Sequence, residues 1–349
     1  MKKPFALMLA LALLAAVGVP AFAEAPVPGW AEGSPALQAI LAYVDAVTDE
    51  AAESFVPAAD RIAVFDFDGT LFGERFPTYF DTCLFLHRVL HDETCEPEAD
   101  VRAYAEALET ALMNGESEPD SPRSTAQMAA EVFAGFTVEE YRAYIKAFAD
   151  TPAWGFEGMT YGQGFYLPMT ALVQYLSRRG FQVFISSGSE RTIVRVLTEG
   201  VLDEWVPADR VIGSTFTLTA TGQGEKAGRS YSFTPEDEVL LEGNLTVKNQ
   251  KTNKVFSIVD EIGKVPILVF GNSSGDLAMA QYAAQHGGKA WMLLCDDTAR
   301  DYGDLKTAAA FAETCAECGY ATISMRDDFA TIYGDEAIMT VVEELAPAA

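Results

Sequence analysis

Basic residues are scarce. Only 24 Lys and Arg stand against 51 Asp and Glu, giving a formal net charge of −27 at pH 7 over 349 residues. A chain with that balance does not bind nucleic acid by neutralising phosphates, and its field repels large polyanionic substrates. A small phosphate ester stays compatible if a bound cation reverses the potential locally. Long apolar runs are also missing beyond the N-terminus, so no later segment is long enough to span a bilayer. Cysteine is sparse, at five residues. Cys315 and Cys318 form a Cys-x-x-Cys without the thioredoxin-like context of a redox motif or the further ligands of a zinc site. They read as a local disulfide or a pair of thiols. Cys83 and Cys95 share one region, and Cys295, which follows an apolar run, reads as a buried thiol. His87 and His91 lie four apart, but without a third ligand nearby they read as a helix surface.

What is present begins with Met1-Lys2-Lys3, an apolar run from about Phe5 to Val19, and Pro20-Ala21-Phe22-Ala23. Basic residues, a short apolar core and an Ala-x-Ala end make a secretory signal peptide over 1–23. No Cys follows the apolar core, unlike a lipoprotein signal. The expectation is an exported protein, periplasmic or extracellular, with no stable membrane association once the signal is removed.

The stretch Ile62-Ala63-Val64-Phe65-Asp66-Phe67-Asp68-Gly69-Thr70 carries the chemistry. Its apolar start reads as a strand buried on both faces of a parallel sheet. Side chains two apart on a strand share a face, so Asp66 and Asp68 can serve one site where Gly69 lets the chain turn. A calcium loop would need a further ladder of oxygen ligands and a Glu at its twelfth position, and neither follows. A second buried run, Phe181 to Ile185, ends in Ser186-Ser187-Gly188-Ser189 and leads into a helix. That geometry suits phosphate, because a helix N-terminus presents N–H groups and a positive dipole end. Ser187 adds a hydroxyl donor. A third run, Val265 to Phe270, ends in Gly271-Asn272-Ser273-Ser274-Gly275-Asp276, again before a helix. Lys248, Lys251 and Lys254 stand between the second and third, and Lys254, with Lys251 as second choice, is the lysine expected to neutralise a phosphate.

Around these runs the chain divides into a lead-in at 24–60 with a helix from about Pro35 to Val47, and a core at 61–75 and 166–349. Helical periodicity between 76 and 165, with a capping-box start at Thr137 to Glu140, marks an inserted helical cap. Residues 211–247 read as a small β excursion beside the site. Strands at 290–294 and about Thr322 to Met325, and a closing helix from about Glu336 to Leu345, complete an α/β, doubly wound, Rossmann-like parallel sheet with a helical cap inserted after its first strand. Ligands of such sheets sit at the carboxyl ends of the strands. Two carboxylates, a serine, a lysine and an Asn/Asp pair collected there are the parts of a magnesium-dependent phosphoryl transfer, with an oxygen nucleophile, a hard cation on oxygen ligands and fixed donors for phosphate.

Asp66-Phe67-Asp68-Gly69-Thr70, Ser187-Gly188, Lys254 and Asn272 to Asp276 resemble, in order, the four motifs of the haloacid dehalogenase-like phosphohydrolases. The helical insertion and the Ser187-Gly188 step look most like the phosphoserine phosphatase-like branch. The resemblance implies Asp66 as a nucleophile forming an aspartyl-phosphate, and Asp68 as acid for the leaving oxygen and then base for water. Ser187 and Gly188 would hold the phosphate, and Lys254 would steady it. Mg²⁺ would be bound by Asp66, the backbone carbonyl of Asp68, Asn272 and Asp276. Asn272 departs from the Asp more usual in the family, offering a neutral oxygen that still suits magnesium. Haloacid dehalogenases share the nucleophile but need no metal and lack the second acid, so Asp68 favours phosphate. A small phosphorylated metabolite is the expected substrate, with hydrolysis preferred over phosphotransfer because an exported enzyme meets abundant water. A non-catalytic phosphate- or metal-binding protein on the same scaffold is the remaining alternative. Asn244-Leu245-Thr246 and Asn272-Ser273-Ser274 match the glycosylation acceptor pattern, and a glycan on Asn272 would block the site, which favours a bacterial host. Glu74 and Arg75 are expected to set substrate selectivity, a Glu pairing with an ammonium and an Arg with a carboxylate.

Overall fold

Alternation along β1 (Ile62–Phe65) sends Ala63 and Phe65 into one apolar cluster, Ile62 and Val64 into another. Both faces of the strand are therefore core, as a continuous apolar run requires. The computed structural model describes residues 27–74 and 78–340. The expected signal peptide and Arg75 lie outside the described residues. The further strands are β2 (Phe156–Glu157), β3 (Gln182–Glu190), β4 (Val211–Ala220), β5 (Val239–Val247), β6 (Leu268–Gly271), β7 (Lys289–Leu294), β8 (Ala321–Ser324) and β9 (Ile338–Met339). Seven of them form one sheet in the order β5-β4-β3-β1-β6-β7-β8, parallel except for β5. The chain leaves β1 for one side of the sheet and returns to the other at β6. Doubly wound sheets bind ligands at that reversal. Phe65 stacks on Phe270 across it, with ring centroids 4.3 Å apart.

The helices are α1 (Pro35–Thr48), α2 (Phe80–Leu86), α3 (Ala99–Met113), α4 (Thr125–Val132), α5 (Val138–Ala149), α6 (Leu167–Arg178), α7 (Arg191–Thr198), α8 (Thr252–Ser257), α9 (Leu277–Gln285) and α10 (Leu305–Cys318). Apolar residues of α1, α6 and α7 join the cluster on one face of the sheet. Those of α9, with Ile258 and Cys315, join the other. The lead-in is thus built into the core: Ser34 caps α1 and donates its hydroxyl to Asp328, and Trp30 donates its indole N–H to Pro168 O.

Between β1 and α6 stands the helical cap, α2 to α5, with its own small core of Phe85, Val89, Val101, Leu108 and Met128. Reciprocal capping boxes start α4 (Ser124 with Gln127) and α5 (Thr137 with Glu140). Arg88 is buried under Phe133, Phe136 and Tyr144 and pairs with Asp92 at 2.5 Å.

Three expectations change. Residues 211–247 are not an excursion: β4 extends the sheet beside β3, and β5 pairs antiparallel to β4 while packing on α4. The β-branched, alternating sequence of β4 finds a ladder partner, so it joins the main sheet. The closing helix is absent from the part of 336–345 that is described, where Ile338 and Met339 pair antiparallel with β2. There a partner strand overrides helical periodicity. Val259, expected on an apolar face, is exposed, because a π-turn over Ile258–Ile262 shifts the register. All five cysteines are free thiols, including Cys315 and Cys318, and Cys295 is buried as expected. Among the described residues no helix is long and apolar enough to cross a membrane.

Candidate active site

The first motif leaves the sheet at once. Asp66 N–H still donates to Phe270 O across the β1–β6 seam, and the N–H groups of Thr70, Leu71 and Phe72 then converge on Phe67 O. Gly69 at φ 73° makes that turn possible. A Cβ there would lie 1.9 Å from Asn272 Nδ2 and 2.7 Å from the Glu74 carboxyl carbon. The turn is therefore roofed by Asn272 of the fourth motif and by Glu74. Stacked Phe67 and Phe72 rings, 5.1 Å apart, fix it from below.

Lys254, the third motif, links the first to the fourth. Its buried Nζ donates to Asp66 Oδ1 at 2.5 Å and to Asp276 Oδ1 at 2.6 Å. Asp276 Oδ2 accepts from Asn272 N and Ser273 N, at 3.0 and 3.2 Å. Lys251, the other candidate, is exposed. It holds a left-handed φ of 53° and its N–H donates to Gly275 O, so its contribution is to pin the Asn272–Asp276 loop. Burial works to lower the Lys254 ammonium, but Asp276 and Asp66 outweigh it and hold the group above its ordinary range.

The second motif meets the first at Asp68. Asp68 Oδ2 accepts from Ser189 Oγ at 2.7 Å and more loosely from Ser187 Oγ at 3.4 Å, while its Oδ1 is buried without a partner. Ser187 and Ser189 share a face two residues apart at the tip of β3. Burial pushes both Asp66 and Asp68 up to about 7, with the Asp276 charge adding to the first and Asp81 to the second.

The sequence matches the haloacid dehalogenase-like hydrolase family over residues 63–281. The chain belongs to that family. No curated protein matches it. Among solved structures, a conserved protein of unknown function from Anaerococcus prevotii is similar over 83% of this chain and 91% of its own, at 13% identity and a TM-score of 0.51. Cytosolic 5'-nucleotidase IIIB bound to cytidine overlaps 85% of this chain and 88% of its own, at 14% identity and a TM-score of 0.47. A phosphoserine phosphohydrolase-like protein from Francisella tularensis overlaps 67% and 87%, at 15% identity and a TM-score of 0.37. The first likeness bears on the fold alone, and the other two are too loose to carry an argument.

In this hydrolase, Asp66, Asp68, Gly188, Lys254, Asn272, Asp276 and Glu74 all line one cleft of about 310 Å³ between core and cap. Ser187 is buried just behind it, bonded to Asp68 and accepting from Ser189 N. Several functional residues escaped the sequence. Ser189 is the principal partner of Asp68. Lys248 lines the cleft and donates to Gly188 O at 2.8 Å. Fully buried Asn249 donates to Ser186 Oγ and Ser187 O, and Ser214 donates to Gly188 O, clamping the β3 tip. The period-two spacing of Ser187 and Ser189 was a usable signal for the first. Nothing local marks Asn249 or Ser214, whose partners lie 62 and 26 residues away.

Among the described residues no three His, Cys, Asp or Glu side chains gather as a metal cluster. The reason is that Lys254 takes up Asp66 and Asp276, and Asp68 turns to Ser189. Asp66, Asp68 and Asn272 nevertheless line the same cleft, and each carries an oxygen donor. An all-oxygen set of that kind fits a hard cation such as magnesium. His87 and His91 lie elsewhere, on the cap, where His91 pairs with Glu109 at 3.3 Å and His87 packs on Phe148.

Proposed function

We propose that this hydrolase cleaves small phosphate monoesters through a phosphorylated Asp66. The observation that carries the reading is the buried Asp66–Lys254–Asp276 bridge standing two residues from a Ser-held Asp68 inside one cleft. Lys254 fixes Asp66 so that one carboxylate oxygen attacks phosphorus while the ester P–O bond breaks. Asp68 gives its proton to the departing alkoxide. Water then attacks the phosphoryl group, yields its proton to Asp68, and the bond to Asp66 breaks to release inorganic phosphate. Gly188 and the hydroxyls of the β3 tip, with Lys248 in the same cleft, would hold the phosphoryl oxygens. Held by Asp66, the Asp68 carbonyl and Asn272, a Mg²⁺ ion would offset charge on the phosphoryl oxygens.

The test is turnover of an aryl phosphate with and without magnesium. D66N should abolish it, and D68N should lower kcat by roughly 10²–10⁴-fold, the usual contribution of a positioned acid–base group. Transfer of the phosphoryl group to an added alcohol in preference to water would make the protein a phosphotransferase. Binding of phosphate without turnover would make it a non-catalytic binder.

A further inference from the structure

The catalytic cleft carries negative charge well beyond what phosphoryl chemistry uses. Besides Asp66, Asp68 and Asp276, its lining includes Glu74, Asp81 and Glu118. Among the described residues two cations line the cleft, Lys254, committed to Asp66 and Asp276, and Lys248, committed to Gly188 O. The excess is more than the composition of an acidic chain. The cap has basic residues, but Arg88 turns to Asp92, Arg123 to Asp100 and Glu131, and Arg142 and Lys146 to Glu199. None of the four lines the cleft. Asp81 and Glu118 have no Lys or Arg partner among the described residues. Glu118 is held in place by neutral donors, the hydroxyls of Tyr104 and Thr125. Asp81 lines the same cleft as Asp68.

The rest of the lining is aromatic and aliphatic: Tyr79, Phe133, Tyr141 and Phe216, with Leu84 and Leu245. Carboxylates set among aromatic rings receive organic cations, which gain from the ring faces as well as from the charge. Asp68 adds an independent sign that a ligand group is missing, because it lines this cleft and its buried Oδ1 meets no donor. The volume of about 310 Å³ sits at the lower end for small-molecule sites, which suits a small leaving group. A second anionic group on the substrate would face Asp81 and Glu118, which no described Lys or Arg neutralises.

We infer that the substrates are phosphate monoesters of small amino alcohols, with the ammonium end of the leaving alcohol received by Asp81 and Glu118 of the cap. The inference rests on the phosphomonoesterase reading above and adds the identity of the leaving group. It makes Asp81 and Glu118 specificity residues, with no part in the bond-breaking itself.

The test compares phosphocholine and phosphoethanolamine with 3,3-dimethylbutyl phosphate, the neutral isostere of phosphocholine, and with phosphoserine, which adds a carboxylate. Both amine esters should exceed the neutral isostere in kcat/KM by about tenfold or more, the size of one charge-assisted contact, and phosphoserine should fall below them. D81N and the conservative E118Q, at an exposed loop position, should each cut the amine-to-isostere ratio several-fold, mainly through KM. A ratio near one in the natural chain, or one unmoved by both substitutions, overturns the inference while aryl phosphate turnover leaves the hydrolase reading standing. If no ester is turned over, the hydrolase reading falls. Calorimetric binding then decides the matter: phosphocholine bound more tightly than its isostere supports the cation subsite, and equal binding overturns it.

Discussion

Replacing Lys254 by Met tests the centre of the site. Lys254 Nζ bridges Asp66 Oδ1 and Asp276 Oδ1 at 2.5 and 2.6 Å, and the carboxylates are 6% and 1% exposed. Methionine fills similar volume but leaves two buried acids facing each other. Removing one partner of a buried pair typically costs about 3–5 kcal/mol, so K254M should lose that much at pH 8, read from the urea midpoint at unchanged slope. The pH dependence has a definite sign. Asp66 in the fold already sits at about 7, above its ordinary 3.8, and Lys254 is a force pulling it down. Without the lysine Asp66 holds its proton still more strongly in the folded state than in the unfolded chain. Stability of K254M is therefore greatest at low pH and falls as pH rises through the folded pKa of Asp66, so the deficit against the natural chain shrinks towards pH 5. D276N combined with K254M should cost less than the sum of the two by about 1 kcal/mol or more, as coupled neighbours do. A K254M midpoint matching the natural chain at pH 8, or additive double-mutant costs, would refute the bridge as an energetic unit.

Three further outcomes follow from single contacts. G69A forces a φ of 73° on an L-residue and drives its Cβ into Asn272; it should cost about 2 kcal/mol or more in unfolding and lower aryl phosphate turnover. S189A deletes the 2.7 Å bond to buried Asp68, so unfolding should show a loss of roughly 1–3 kcal/mol together with a lower kcat. Glu190 caps α7 through Thr192 N and Ile193 N, and burial pushes it up to about 7 from 4.5. Because its folded pKa lies above the unfolded one, its contribution is present below pH 4.5 and lost as pH rises through 7, by roughly 3 kcal/mol at 1.36 kcal/mol per unit. E190Q keeps an acceptor without the charge, so thermal melts should show it gaining on the natural chain above pH 7 and losing that advantage at pH 5; parallel curves would sink the assignment.

Local chemistry made much of this legible in the sequence. An apolar run buried on both sides cannot be polar anywhere, so β1, β3, β6 and β7 announce themselves, and the carboxylates and hydroxyls that end them are conspicuous at once. The signals for α1, α3 and α5 are likewise local, in the 3.6-residue period and in the Thr137–Glu140 box. Pairings that close over long stretches of chain left no such mark. Lys254 and Lys251 look alike as residues, and only folding shows that one is buried 188 positions from its partner Asp66 while the other pins a loop. Residues 336–340 carry a helical pattern, yet a strand from the far side of the cap claims Ile338 and Met339. Ser189, Asn249 and Ser214 became site residues because the β3 tip and the segment after β5 meet in space. Sequence alone determined which apolar runs end in carboxylates and hydroxyls, since burial and polarity are properties of each run. Tertiary structure decided which of them touch, because a hydrogen bond depends on distance in space and the chain encodes that only through its fold.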